Sequence, residues 1–147
     1  MIDIQNLKDE RNIDIKKVGV KGLKYPITVL DRARGTQPVN ATINMYVNLL
    51  HRFKGTHMSR FVEVLNEIRE QVNIRTFHSI LEKIRAKLHA ESAHIEIEFP
   101  YFIEKTAPRS RAKSLMEYRC QFLGTCTGSG MDFVVGMVVP VTTVCPC

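Results

Sequence analysis

Asn40-Ala41-Thr42-Ile43-Asn44-Met45-Tyr46-Val47-Asn48-Leu49-Leu50 decides the fold class. Ala41, Ile43, Met45, Val47 and Leu49 fall on one side of an extended chain. Thr42, Asn44, Tyr46 and Asn48 fall on the other. A strict period of two describes a half-buried antiparallel strand. Downstream the period changes. Met58, Phe61, Val62, Leu65, Ile68 and Val72 recur at spacings of three and four, which predicts an amphipathic helix N-capped by Thr56 and ended by Asn73. A second helix is predicted over Thr76–Leu88, with Phe77, Ile80, Leu81, Ile84 and Leu88 on its inner stripe. Period two then returns in Ile95, Ile97, Phe99, Tyr101 and Ile103, and again in Met116, Tyr118, Cys120 and Phe122. After Thr127-Gly128-Ser129-Gly130 a further strand is expected over Phe133–Val144. Upstream, Lys16–Asp31, with Gly19, Gly22 and Pro26 among its β-branched residues, reads as a strand broken by a bulge or bend. Asp31–Pro38 reads as a loop punctuated by Gly35 and Pro38. The resulting order, strand-strand-helix-helix-strand-strand and one more strand, specifies an α+β layer: two helices on one face of an antiparallel sheet. The other face is left to solvent or to the interior of an oligomer.

The 147 residues are 44% hydrophobic and 24% charged, proportions that exclude a wholly disordered chain. No apolar run is long enough for a membrane-spanning helix, and the first residues lack the apolar stretch of a secretory signal. A cytoplasmic protein with reduced thiols is therefore expected for Cys120, Cys126, Cys145 and Cys147. The net charge of +6 is uneven. Between Lys16 and Arg60 stand nine Lys or Arg and one acid, Asp31; from Cys120 to Cys147 the only charge is Asp132. The sequence stops at Cys145-Pro146-Cys147 directly after an apolar run. Chain ends are usually loose and polar, so this ending reads as one interrupted in mid-fold.

Two stretches carry candidate chemistry. Thiolate sulfur binds zinc at about 2.3 Å, so Cys145 and Cys147 offer part of a metal site, but a catalytic zinc needs about three protein ligands. The alternative is two thiols without a role. His51, His57, His78, His89 and His94 are available nitrogens, none in a tight pair. His78 reads as a helix-surface residue, and His89 as a helix-end residue favoured by the dipole. The second stretch, Phe53-Lys54-Gly55-Thr56-His57-Met58-Ser59-Arg60-Phe61, sets Lys54, His57 and Arg60 in or before the first turn of a helix. Free N–H groups, the positive helix end and basic side chains together favour a phosphate. An ordinary capped helix with solvated basic residues is the competing account. Nucleic-acid binding ranks lower, since Trp is absent and no nucleic-acid motif occurs. Arg109, Arg111 and Lys113 read more simply as a solvated hairpin turn.

Val18-Gly19-Val20-Lys21-Gly22-Leu23-Lys24-Tyr25-Pro26-Ile27, the Ala41–Val47 strand, the Lys54-Gly55-Thr56-His57-Met58-Ser59-Arg60-Phe61 run and Cys145-Pro146-Cys147, in that order, resemble type IB GTP cyclohydrolase, from about Asp9 onward. The resemblance is to the N-terminal part of that family. It implies a tunnelling fold, whose modules run strand-strand-helix-helix-strand-strand. It divides the chain into an arm (1–15), a tunnelling module (16–131) and the first strand of a second module (132–147). It implies hydrolysis of GTP to 7,8-dihydroneopterin triphosphate and formate, the entry to folate and related pterins, in a homotetramer with active sites at subunit interfaces. Cys145 matches the ligand of a divalent metal, zinc, manganese or iron, which would activate water for attack on the purine. Cys147 matches a catalytic cysteine able to shuttle a proton. The family's remaining ligands, a histidine and a glutamate, lie beyond this pair, so these residues alone are expected to be inactive. Leu50 departs from the family, where Pro is expected. Assigning Lys54, His57 and Arg60 to the triphosphate follows from charge and the helix end. GTP is thus the expected partner, with neither nucleic acid nor membrane. Three other readings stay open: a non-catalytic tunnelling-fold subunit, a basic phosphate- or nucleic-acid-binding module, and an archaeal-type cyclohydrolase giving a cyclic phosphate.

Overall fold

The computed structural model describes residues 15–50 and 56–144. Five strands and two helices follow in chain order: β1 Ile15–Asp31, β2 Gly35–Leu49, α1 Met58–Ile68, α2 Phe77–Lys87, β3 Ala93–Thr106, β4 Lys113–Thr127 and β5 Gly130–Val138. The strands form one antiparallel sheet in the order β1-β2-β3-β4-β5. The expected α+β class and element order are those observed. No helix among the described residues is long and apolar enough to cross a membrane.

Both helices lie on one face, where the apolar members of each alternation point. Ala41, Ile43 and Met45 of β2, Ile95 and Ile97 of β3, Phe61, Val64, Leu65 and Ile68 of α1, and Phe77, Ile80, Leu81 and Ile84 of α2 are all essentially sealed from solvent. Burial of that apolar area is the main force holding helices to sheet. Lys87 of α2 pairs with Glu67 of α1 across the outside of the helix layer. At Gly124 of β4 the missing side chain makes room for the ring of Phe77, which also packs on Phe122 and Phe133.

Several local expectations are corrected. The loop expected over Asp31–Pro38 shrinks to residues 32–34, because β2 begins at Gly35 and Thr36–Val39 pair with Ile27–Leu30. Asp31 organises this turn: its Oδ1 accepts from the Ala33 and Arg34 N–H groups, at 2.7 and 3.1 Å, and Gly35 takes φ +81°, a conformation glycine adopts without steric cost. Pro38 is tolerated because it pairs with Thr28 where the Thr28 N–H points away from β2, to the Arg69 carbonyl at 2.8 Å. The proline nitrogen therefore faces the β3 side, where backbone pairing starts only at Thr42, and no ladder bond is lost. Gln37 covers that gap, its amide donating to the Phe102 carbonyl and accepting from the Phe102 N–H.

The bulge expected in β1 is present, with register shifts between Ile15 and Val18 and between Val20 and Leu23. Helix α1 is N-capped by His57 rather than Thr56 and stops at Ile68. Its buried stripe uses Val64, while Val62 and Met58 are exposed. Asn73 lies in the connection, where its Oδ1 accepts from the Arg75 and Thr76 N–H groups, an Asx turn that starts α2. β5 stops at Val138, short of the expected Val144, since no strand among the described residues pairs with residues 139–144 and Pro140 has no N–H to offer.

Candidate active site

The carbonyl of Arg69, the C-cap of α1, accepts from the Thr28 N–H towards the β1–β2 turn, so α1 starts on the side of the sheet that ends at Leu49, Ala93 and Cys126. The first N–H groups of any helix lack intrahelical partners and carry the positive end of its dipole. Here the N-cap is His57, in extended conformation and without a side-chain cap to the helix, and no acid occupies the first turn. The His57 carbonyl accepts from the Arg60 N–H at 3.1 Å. His57 and Arg60, three residues apart, thus share the first turn, both partly buried. This arrangement suits an anion. Lys54 lies outside the described residues, as do Cys145 and Cys147.

β5 begins at this same end of the sheet and runs away from it. Its nine residues carry the chain about 30 Å, to Val138 beside Arg119. Within one chain, β5 therefore leads away from the end where it begins and stops beside Arg119, midway along β4.

The remaining expected ligands are dispersed. His51 lies outside the described residues. His78 is exposed and pairs with Glu82 at 3.5 Å. His89 takes φ +51° just past α2, where the Ala90 N–H reaches the Arg85 carbonyl; this is a Schellman closure with histidine in the glycine position. Cys120 and Cys126 are free, buried thiols, and burial pushes the Cys120 thiol up, away from the reactive thiolate. Among the described residues no three His, Cys, Asp or Glu side chains stand where they could share a metal ion. The described residues by themselves do not fit a metal centre.

The uncovered face of the sheet carries a polar network that the sequence alone did not reveal. Asn44 Nδ2 donates to Glu96 Oε2 at 2.8 Å, and Asn44 Oδ1 accepts from the Gly22 N–H at 2.7 Å. His94 Nδ1 lies 3.0 Å from Thr125 Oγ1. The Lys17 ammonium sits 5.7 Å from the centre of the Tyr46 ring, a cation–π distance. Burial and the Lys17 charge hold His94 below its ordinary pKa, with Glu96 opposing, so the imidazole is neutral at pH 7. The only signal in the sequence was alternation, which puts these residues on one face without saying which of them meet.

Comparison with known proteins bears on all of this. The family model described as "Type I GTP cyclohydrolase folE2" matches residues 1–147. The GTP cyclohydrolase FolE2 of Syntrophus aciditrophicus is 72% identical over 147 residues, covering all of this chain and 58% of the relative. That of Geotalea uraniireducens is 54% identical, covering all of this chain and 54% of the relative, and that of Citrifermentans bemidjiense is 57% identical over 145 residues. The chain spans little more than half the length of these relatives. Where the sequence motifs resemble type IB enzymes, the matched family carries the broader type I description and the name FolE2. A two-helix antiparallel layer, a basic helix start without acids and a match over every residue agree with one another: the chain belongs to the type I GTP cyclohydrolase FolE2 family.

Proposed function

We propose that this chain contributes one module of a GTP cyclohydrolase, of the finer type IB, that converts GTP and water to 7,8-dihydroneopterin triphosphate and formate in the cytoplasm, the first step towards folate. The match of the family model over residues 1–147 carries the reading. The α1 start supports it with an acid-free, positively polarised turn bearing His57 and Arg60. In this reading Arg60, His57 and Lys54 hold the triphosphate; fork-like guanidinium and point-charge ammonium donors both suit phosphate oxygens. Cys145 is proposed as a ligand of a divalent metal (zinc, manganese or iron) and Cys147 as the second, catalytic cysteine. β5 is proposed as the opening strand of a second module, and the assembly as a homotetramer with its sites between subunits.

The test is a chimera in which these 147 residues replace the matching segment of the Syntrophus aciditrophicus relative. The chimera is expected to release formate from GTP in the presence of Mn²⁺ or Zn²⁺. A folded chimera that binds metal and releases none overturns the reading. In the active chimera Arg60→Ala is expected to raise KM for GTP at least about tenfold, the scale of losing one hydrogen bond to a charged group. An unchanged KM removes Arg60 from the phosphate site.

A further inference from the structure

The end of the sheet opposite to His57 and Arg60 is built from the β1–β2 turn and the β3–β4 hairpin. Gln37 joins them through Phe102, and Arg34 pairs with Glu104 at 3.8 Å. Residues 31–35 and 104–113 contain six cations, Arg32, Arg34, Lys105, Arg109, Arg111 and Lys113, against two acids, Asp31 and Glu104. Both carboxylates are committed. Asp31 accepts from the turn N–H groups and from Gln37, and Glu104 holds Arg34 and Lys113, the latter at 3.0 Å. Arg32, Lys105, Arg109 and Arg111 have no carboxylate partner among the described residues. The hairpin tip is ordered by backbone bonds, Ala107 N–H to the Ala112 carbonyl and Arg111 N–H to the Ala107 carbonyl, so these charges project from a defined turn.

Beyond the Thr42–Glu98 pair β2 and β3 no longer share backbone bonds, and beside the β1–β2 turn lies a cleft of about 560 Å³, within the range of small-molecule sites. It is lined by Arg32 and Arg34 together with the committed acids Asp31 and Glu104, and by Tyr101, Phe102, Ile103 and Leu115. Leu115 is 58% exposed, an apolar surface left uncovered in the cleft that also holds the unpaired Arg32 guanidinium. Guanidinium groups recognise phosphate oxygens, and aromatic faces accept a planar base.

We propose that this cleft binds a nucleoside polyphosphate, with its phosphates on Arg32 and Arg34 and its base against Phe102, on the face it shares with Leu115. The site stands apart from the α1 start and does not depend on it. Calorimetric titration of the chain carrying Arg60→Ala, with GTP and with inorganic triphosphate as probes, tests it. GTP is expected to bind at least about fivefold more tightly than triphosphate, the smallest share a stacked base contributes. Arg32→Ala with Arg34→Ala is expected to weaken both probes about tenfold or more. Phe102→Leu is expected to weaken GTP and leave triphosphate unchanged. Removing two equivalent charges from helix α2, Lys83→Ala with Arg85→Ala, is expected to change neither. Unchanged GTP affinity in the Arg32/Arg34 double variant overturns the site. Equal affinities for the two probes overturn the nucleoside assignment, and an equal loss in the α2 variant reduces the effect to the general field of the chain. The circular dichroism spectrum of each variant verifies the fold. Failure of the cyclohydrolase reading would instead show as absent formate release, an independent measurement.

Discussion

Replacing Gly124 by alanine probes the seam between helix α2 and the sheet. An alanine Cβ there would lie 2.4 Å from Phe77 Cε1 and 2.7 Å from Leu81 Cδ1. Carbon atoms in contact sit about 3.5–4.0 Å apart, so the Phe77 ring must retreat by about 1 Å. It has little room, because Phe133 lies 4.4 Å away centre to centre, and Phe122 meets it edge-on at 5.7 Å. Overpacking of a filled core costs about 1–3 kcal/mol. The stiffer alanine backbone returns about 0.5–1 kcal/mol. The net expectation is a loss of about 1 kcal/mol, or about 4 °C in Tm for a chain of this length. Differential scanning calorimetry reads it directly. Shrinking the obstructing ring supplies the control: in Phe77→Leu the Gly124→Ala substitution should cost at least about 1 kcal/mol less. An unchanged Tm for Gly124→Ala, or strict additivity with Phe77→Leu, would refute the claim that Phe77 needs the glycine.

Gly19→Ala should cost more, about 3 kcal/mol, because the new Cβ would sit 1.9 Å from the Met45 carbonyl oxygen, a backbone atom that cannot rotate aside; a urea midpoint shift no larger than that of Gly124→Ala contradicts this. Gln37→Ala removes both side-chain bonds to the Phe102 backbone and should cost about 1–2 kcal/mol, with faster hydrogen exchange at the Phe102 amide; unaltered exchange there would show that water replaces Gln37 without loss. His94 also makes stability depend on pH. Its folded pKa lies below the ordinary histidine value of 6.5, so the unfolded chain binds the proton first. The contribution is complete above about pH 6.5 and is lost as pH falls below it. His94→Gln should therefore narrow its stability difference from the parent between pH 7.5 and 5.5; a constant difference rules out titration of His94 in the open-face network.

The parts of the fold legible in the sequence are those written in a single period. Ala41 to Val47 alternate without exception, and Phe77 to Leu88 keep one helical stripe, so both elements appear where the pattern puts them. Errors arose where a residue has two physical outlets. Pro38 reads as a loop residue until β1 and β2 place its missing N–H on a side with no ladder. Val62 and Val64 are equally apolar, and only the direction of the sheet selects Val64. Met58 fits the stripe but extends past the cover the sheet provides. The candidate site is less legible. The basic start of α1 is visible as Lys54, His57 and Arg60 because helix ends have a local signature. The pairing of His94 with Thr125 spans 31 residues and depends on the register of β3 against β4, which local sequence does not state. The cleft at the other end required two turns, 70 residues apart in the chain, to be brought together by Gln37.

Asn44 links the irregularity of β1 to the chemistry of the open face. The shifts in β1 turn the Gly22 N–H out of the ladder, at φ +69°. A backbone donor left unpaired is costly, and the Asn44 side-chain oxygen accepts it. That bond fixes the amide orientation, so the Asn44 nitrogen is the atom presented to Glu96. Glu96 is thereby held two residues from His94 on the same face, which sets the carboxylate that partly offsets Lys17 in the titration of His94. The bulge, the close approach at Gly19 and the electrostatic balance of the open face are one construction. A substitution that straightens β1 would therefore disturb the protonation of His94 without touching it, and loss of the Asn44 amide alone would do so while leaving the buried face intact.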